Sequence, residues 1–145
     1  MRLLIQRVLE AEVKVEEDIV GKIEEGLLVF FAAHKNDTKD KIESLVDKLI
    51  HIRIFSDKDD KMNLHLRETQ GQVLIVSQFT LYGNCQKGRR PHFLDSAPPA
   101  YAKELYLDFI KEVKKTIPIV QSGTFGASMQ VSLNNDGPVT FLLEK

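Results

Sequence analysis

Between Gly71 and Gly83 the chain reads GQVLIVSQFTLYG, a run that is wholly apolar from Val73 to Val76 and then carries Ser77, Gln78 and Thr80. A short apolar block, rich in β-branched residues and closed by glycine at both ends, has the length and composition of a strand. It is expected to be the longest β segment of the chain. A period of two puts Ser77, Phe79 and Leu81 on one face and Val76, Gln78 and Thr80 on the other. Gln78 and Thr80 then point the same way, at the end of a strand whose earlier residues are apolar. They mark the place where the sheet meets solvent or a cavity.

Working outward from this strand gives an α+β pattern. Upstream, Arg2 to Val15 alternates as one or two strands, EEDIVGK is expected to turn around Gly21, and Leu27 to Ala33, LLVFFAA, reads as a buried strand. From Thr38 the period changes. Ile42, Leu45, Val46 and Leu49 fall on one face of a helix, with Asp37 or Thr38 as its N-cap. HIRIF is a short strand and SDKDDKMN a polar turn. Downstream, Asn84 to Pro98 has no periodicity, whereas Pro99 to Thr116 stacks Tyr101, Leu105, Phe109 and Val113 as a second helix that Pro118 ends. Phe125 to Leu133 alternates as a strand, NND is a turn, and GPVTFLLE is the last strand. No repeat, linker or low-complexity segment divides residues 1–145, which reads as one domain.

Composition narrows the classes of function. The 145 residues carry 20 Lys and Arg against 21 Asp and Glu, a net charge of −1, so any nucleic acid must be held by a local basic patch. No run approaches the roughly 20 apolar residues of a membrane-spanning helix. One cysteine, Cys85, excludes an internal disulfide, and the alternating N-terminus lacks the apolar block of a signal peptide, so a cytoplasmic protein is expected.

Chemistry has few places to sit. Gln78 and Thr80 are either a strand end emerging into water or a pair of ligand-orienting groups with backbone amides beside them for an oxyanion. The loop KGRRPH clusters Lys87, Arg89, Arg90 and His92 near that strand end. It is either solvated surface or a phosphate clamp, since arginine grips phosphate bidentately where lysine cannot. His34, His51, His65 and His92 are scattered without partners at metal-ligand spacing, so no metal is expected. There is no nucleophile elbow, phosphate-cradling glycine loop or dinucleotide fingerprint, and no cofactor is expected. Gly137 and Pro138 precede the last strand, where a proline without an N–H and a flexible glycine weaken any ladder they join.

SQFTL at Ser77 to Leu81 and MQVSLNNDGPVTF at Met129 to Phe141 resemble the two signature motifs of the D-aminoacyl-tRNA deacylases. The likeness extends to QRV at Gln6 to Val8, RIFSD at Arg53 to Asp57, KMNL at Lys61 to Leu64 and the glycine and phenylalanine of Gly123 to Phe125. The resemblance implies mixed β-sheets bent into a barrel-like sandwich with two main helices packed on it. It also implies hydrolysis of the ester of D-aminoacyl-tRNA, with glycine mischarged on tRNA(Ala) as a further substrate. By resemblance, Ser77, Gln78, Phe79 and Thr80 are catalytic, the Phe79 and Thr80 amides polarise the ester carbonyl, and Phe125 and Met129 line the pocket for the terminal adenosine. A cis Gly137–Pro138 pair projects from one subunit of a homodimer into the other's active site and excludes L-residues, and Arg7 braces it. Partners are then an aminoacyl-tRNA and a second copy, with no DNA and no membrane. Two rivals stay open: a non-catalytic tRNA-binding module, and a Gly-Pro that is only an interface turn.

Overall fold

The computed structural model describes residues Met1–Lys145. A long strand β1 (Arg2–Val15) turns at Glu16 and Glu17 into β2 (Asp18–Ile23), which returns as β3 (Gly26–Ala32). Helix α1 (Lys41–His51) follows, then a small ribbon of β4 (Phe55–Ser56) and β5 (Met62–Leu64), then β6 (Gln72–Ser77). A 3-10 turn (Phe79–Tyr82) and a long loop lead to α2 (Pro99–Val113), β7 (Val120–Ser122) and β8 (Gln130–Glu144).

The main sheet runs β2-β1-β3-β6-β7, with β8 added along β1. The β3–β6 and β6–β7 pairs are parallel. The connections explain this: α1 lies in the crossover from β3 to β6 and α2 in that from β6 to β7, and parallel neighbours need such crossovers. The remaining pairs are antiparallel. The sheet curls until β2 approaches β6, close enough that a Cβ on Gly21 would lie 3.0 Å from Leu74. The expected barrel-like α+β architecture with two helices is what the chain adopts.

Strand parity divides the apolar residues between two cores. Leu3, Ile5, Leu27, Val29, Val73 and Ile75 face the helices, where they meet Leu45, Leu49, Leu105 and Phe109. Their neighbours Leu28, Leu74 and Val76, with Val8, Val13 and Ile23, fill the curled interior. Both faces of β3 and β6 are therefore buried, and the apolar run of each strand is continuous because neither face meets water.

Several local expectations are corrected. Gly21 lies inside β2, and the turn sits at Glu16, whose φ is 55°. HIRIF contributes only Phe55 to a strand, since His51 still belongs to α1. Asp37 does not cap α1. Its carboxylate is buried 2.6 Å from the Met1 nitrogen, accepts the His34 N–H and pairs with Lys41. Burial pushes that carboxyl up, but the hydrogen bonds from Met1, His34 and Lys41 outweigh it and hold it below the usual range. The longest strands are β8 and β1, not β6, which stops at Ser77.

The largest correction concerns the C-terminal third. Phe125 to Met129 is a loop, and NND is no turn: Gln130 to Glu144 form one strand paired with β1. The ladder breaks in its middle. Val8 faces Asn135 and Gln6 faces Thr140, so Asp136 to Val139 arch out opposite the single residue Arg7. A proline is tolerated there because a bulge asks for no ladder hydrogen bond.

Candidate active site

Beyond Ser77 the ladder ends, and the Gln78 N–H makes a last bond to the Phe31 carbonyl at 2.7 Å. The backbone then winds into the 3-10 turn. Its first bonded donor is Leu81, to the Gln78 carbonyl at 3.2 Å, so the amides of Phe79 and Thr80 precede the hydrogen-bonded part of the turn. The turn replaces the strand geometry expected for Gln78 and Thr80, yet the two side chains still meet, with Gln78 Nε2 donating to Thr80 Oγ1. The Ser96 hydroxyl donates to the Phe79 carbonyl at 3.2 Å and ties the turn to the loop before α2.

A cavity of about 490 Å³ opens at this point, at the carboxyl ends of the parallel strands β3 and β6, where crevices of such sheets form. Ser77, Gln78 and Phe79 form one wall, and Phe125 and Met129 form part of another. Eleven of its 15 lining residues are hydrophobic. Beneath it, Tyr106 packs against Phe125 with ring centroids 5.8 Å apart and donates its hydroxyl to the Ile75 carbonyl at 2.8 Å. Burial pushes the Tyr106 phenol up to about 12, so it is a fixed, neutral support. Thr80 is exposed at the rim and does not line the cavity.

Sequence reasoning missed Ala97, Pro99 and Ala102, which bring the start of α2 to the cavity. Small apolar residues at a helix start carry no signal that separates a lining from a packing role. It also missed Ser96 and Phe93, which sit in the segment without periodicity.

Gly137 and Pro138 stand elsewhere. Both are exposed on the β8 arch, joined by a cis peptide bond, and line none of this cavity. Arg7 is only 7% exposed and holds the base of the arch. Its Nε lies 2.7 Å from the Asp136 carboxylate and 3.2 Å from the Asp136 carbonyl, and its Nη1 donates to the Ile54 carbonyl at 2.5 Å. Asn135 Nδ2 closes the arch by donating to the carbonyls of Arg7 and Val139 at 3.2 and 3.1 Å. The hydrogen bonds and ion pair of Arg7 within the arch thus go to Asp136.

Lys87, Arg89 and Arg90 are exposed, and none forms an ion pair within the chain. They ride on a seven-residue arch from Cys85 to Pro91, closed at its base by two backbone hydrogen bonds between Asn84 and His92 at 2.9 and 3.2 Å. Gly88 gives its tip a φ of 75°. No group of three or more His, Cys, Asp or Glu residues is arranged to hold a metal ion, and no helix is long and apolar enough to cross a membrane.

Comparison with known proteins gives the chain its class, a hydrolase that cleaves the ester bond of an aminoacyl-tRNA. The family model described as D-Tyr-tRNA(Tyr) deacylase matches residues 4–144, and the chain belongs to that family. It is 56% identical over 144 residues to the D-aminoacyl-tRNA deacylase of Thermosipho africanus (strain TCF52B), covering 99% of this chain and 97% of that protein. It is 52% identical over 143 residues to the one of Haemophilus influenzae (strain PittGG), covering 99% of each. Among solved structures, a c-Myc DNA Unwinding Element Binding Protein superposes with a TM-score of 0.93 at 36% identity, covering 100% of this chain and 99% of that one. A probable eukaryotic D-amino acid tRNA deacylase shares the fold, with a TM-score of 0.86 at 21% identity over 98% of this chain and 97% of the other.

Proposed function

We propose that residues 1–145 act as one domain of a homodimeric chiral editing enzyme in the cytoplasm, each active site completed by the partner copy. The observation that supports this reading best is the separation of Gly137 and Pro138 from the cavity of their own chain, on an exposed arch whose base is fixed by Arg7 and Asn135. Such an arch is built to be presented outward, and a second copy offers the same cavity to receive it. The outer edge of β8, which pairs only with β1, is a surface on which two copies can meet.

In this reading the terminal adenosine lies against Phe125 and Met129, and the ester reaches the wall of Ser77, Gln78 and Phe79, with Thr80 at its rim. The Phe79 and Thr80 amides polarise the carbonyl, and the Gln78 side chain with the Thr80 hydroxyl positions the substrate or water. Water attacks the carbonyl carbon while the free ribose hydroxyl beside the ester accepts its proton and passes its own to the ester's ribose oxygen. The tetrahedral oxyanion is held by the two amides, and the bond from carbonyl carbon to ribose oxygen breaks as that oxygen takes the relayed proton, releasing the amino acid, whose carboxyl then ionises to solvent. An aminoacyl ester is activated enough to need no protein nucleophile, and the one hydrogen bond to the Thr80 hydroxyl comes from Gln78, which is no base.

Chirality is read by exclusion. The Gly137 and Pro138 carbonyls of the partner face the α-carbon and leave no room for an L side chain, while a D side chain points outward and glycine has none to exclude. Glycine mischarged on tRNA(Ala) is therefore a further substrate. Arg7 braces the gate through Asp136, and Lys87, Arg89 and Arg90 hold tRNA phosphates.

Hydrolysis of D-tyrosyl-tRNA and L-tyrosyl-tRNA, with a metal chelator present and Pro138→Ala alongside, tests the reading. The expected result is cleavage of the D-ester alone, indifferent to chelator, with selectivity blurred toward the L-ester in the variant. Unchanged selectivity in Pro138→Ala, with a changed assembly state, would reduce the pair to an interface turn.

A further inference from the structure

Phe79 presents 56% of its surface to solvent, an unusual exposure for a phenylalanine that lines a cavity. Its ring is not loose. It meets Phe93 edge to face, with centroids 4.9 Å apart and planes at 67°. Phe93 is held in turn by the backbone of the 3-10 turn: a Cβ on Gly83 would lie 3.0 Å from its Cε1. Only a residue without a side chain lets that ring settle against the turn. The same loop segment is fastened by Ser96 to the Phe79 carbonyl and by the Lys35–Asp95 ion pair at 2.8 Å. The two aromatic rings thus form a fixed platform with an open face.

Charge identifies the ligand. Phe93 follows directly on His92, which closes the arch carrying Lys87, Arg89 and Arg90, and those three cations have no carboxylate partner in the chain. Asp95, the acidic residue nearest in sequence, is engaged by Lys35. An exposed aromatic pair at the base of an arch of unpaired basic side chains offers what single-stranded nucleic acid needs, a ring to stack on and cations for the phosphates.

We infer that Phe79 and Phe93 form a stacking subsite for a nucleobase of single-stranded RNA, taking the cytosine that precedes the terminal adenosine of the substrate. The inference rests on the placement of that adenosine in the cavity given above, since Phe79 belongs both to the cavity and to the platform. The single-stranded end then runs from the cavity across Phe79 toward the basic arch, and its next phosphate passes Lys87, Arg89 and Arg90. The platform adds affinity for the RNA end without regard to the chirality of the amino acid.

The test is binding of the trinucleotide CCA and of adenosine 5′-monophosphate to wild type, Phe79→Leu, Phe93→Leu and Phe93→Tyr. Leucine keeps apolar volume but has no π face, and no variant alters charge, so phosphate contacts are constant. The quantity read is the ratio of the two dissociation constants. It should shrink about tenfold in both leucine variants and be kept in Phe93→Tyr, within the range stacking on an aromatic ring provides. An unchanged ratio in both leucine variants, whether both ligands weaken alike or neither does, overturns the subsite. D- and L-tyrosyl-tRNA hydrolysis by wild type is run in parallel: loss of selectivity there strikes the proposed function, whereas the ratio decides the platform.

Discussion

Thr80 shows how little chemistry one residue has to supply at this site. Its hydroxyl is exposed, accepts a hydrogen bond from Gln78 and makes none to a carboxylate or imidazole, and in the proposed reading it orients rather than attacks. Thr80→Val keeps the shape of the side chain and the backbone amide. The rate on D-tyrosyl-tRNA should fall about tenfold, the factor produced by roughly 1.4 kcal/mol, with activity remaining. Complete loss of activity in the variant, with an ester trapped on Thr80 in wild type, would make it a nucleophile instead. A strand period puts Gln78 and Thr80 on one face, and although that period does not apply there, the two side chains do meet. They meet because a tight turn also brings residues two apart within reach when one side chain is a long amide. The burial of Arg7 was not legible, since an arginine in an alternating strand reads as an outward residue, and the groups that satisfy the guanidinium, Asp136 of the bulge and the Ile54 carbonyl, are distant in sequence.

At the level of elements, the arch of β8 depends on a small set of coupled contacts. Asn135 bonds the carbonyls on both sides of the break, and a Cβ on Gly137 would overlap Asn135 Oδ1. Asn135→Ala and Gly137→Ala should each cost about 1 kcal/mol, while the double variant costs less than their sum, because the atom that the new methyl meets is gone. A coupling of about 0.5 kcal/mol or more in a urea-denaturation cycle is the expected outcome, and strict additivity would dissociate the two. The sequence around this arch misleads. Asn-Asn-Asp-Gly-Pro carries every local turn signal, and short-range propensity calls for a hairpin. Pairing with β1 on either side of the break overrides it, and the surplus residues are expelled as a bulge rather than closing a turn. The apolar blocks of β3 and β6 and both helical stripes carried no such conflict. Their period and their tertiary surroundings ask for the same structure, and these elements are legible from sequence.

The molecule as a whole is nearly neutral, so its attraction to RNA has to be local. Replacing Lys87, Arg89 and Arg90 together by alanine should weaken tRNA binding and flatten the dependence of log Kd on log salt by about two units, the share of three phosphate contacts on a single strand. An unchanged slope would place the phosphate contacts elsewhere. The same whole-molecule view gives meaning to the pairing of the first strand with the last. Arg7 belongs to the first strand and the arch it anchors to the last, so the contact that holds the arch joins residues 129 positions apart. Local chain stiffness cannot keep such an arch in shape. It exists only while β1 and β8 are paired, and is lost with the tertiary fold rather than with any single element.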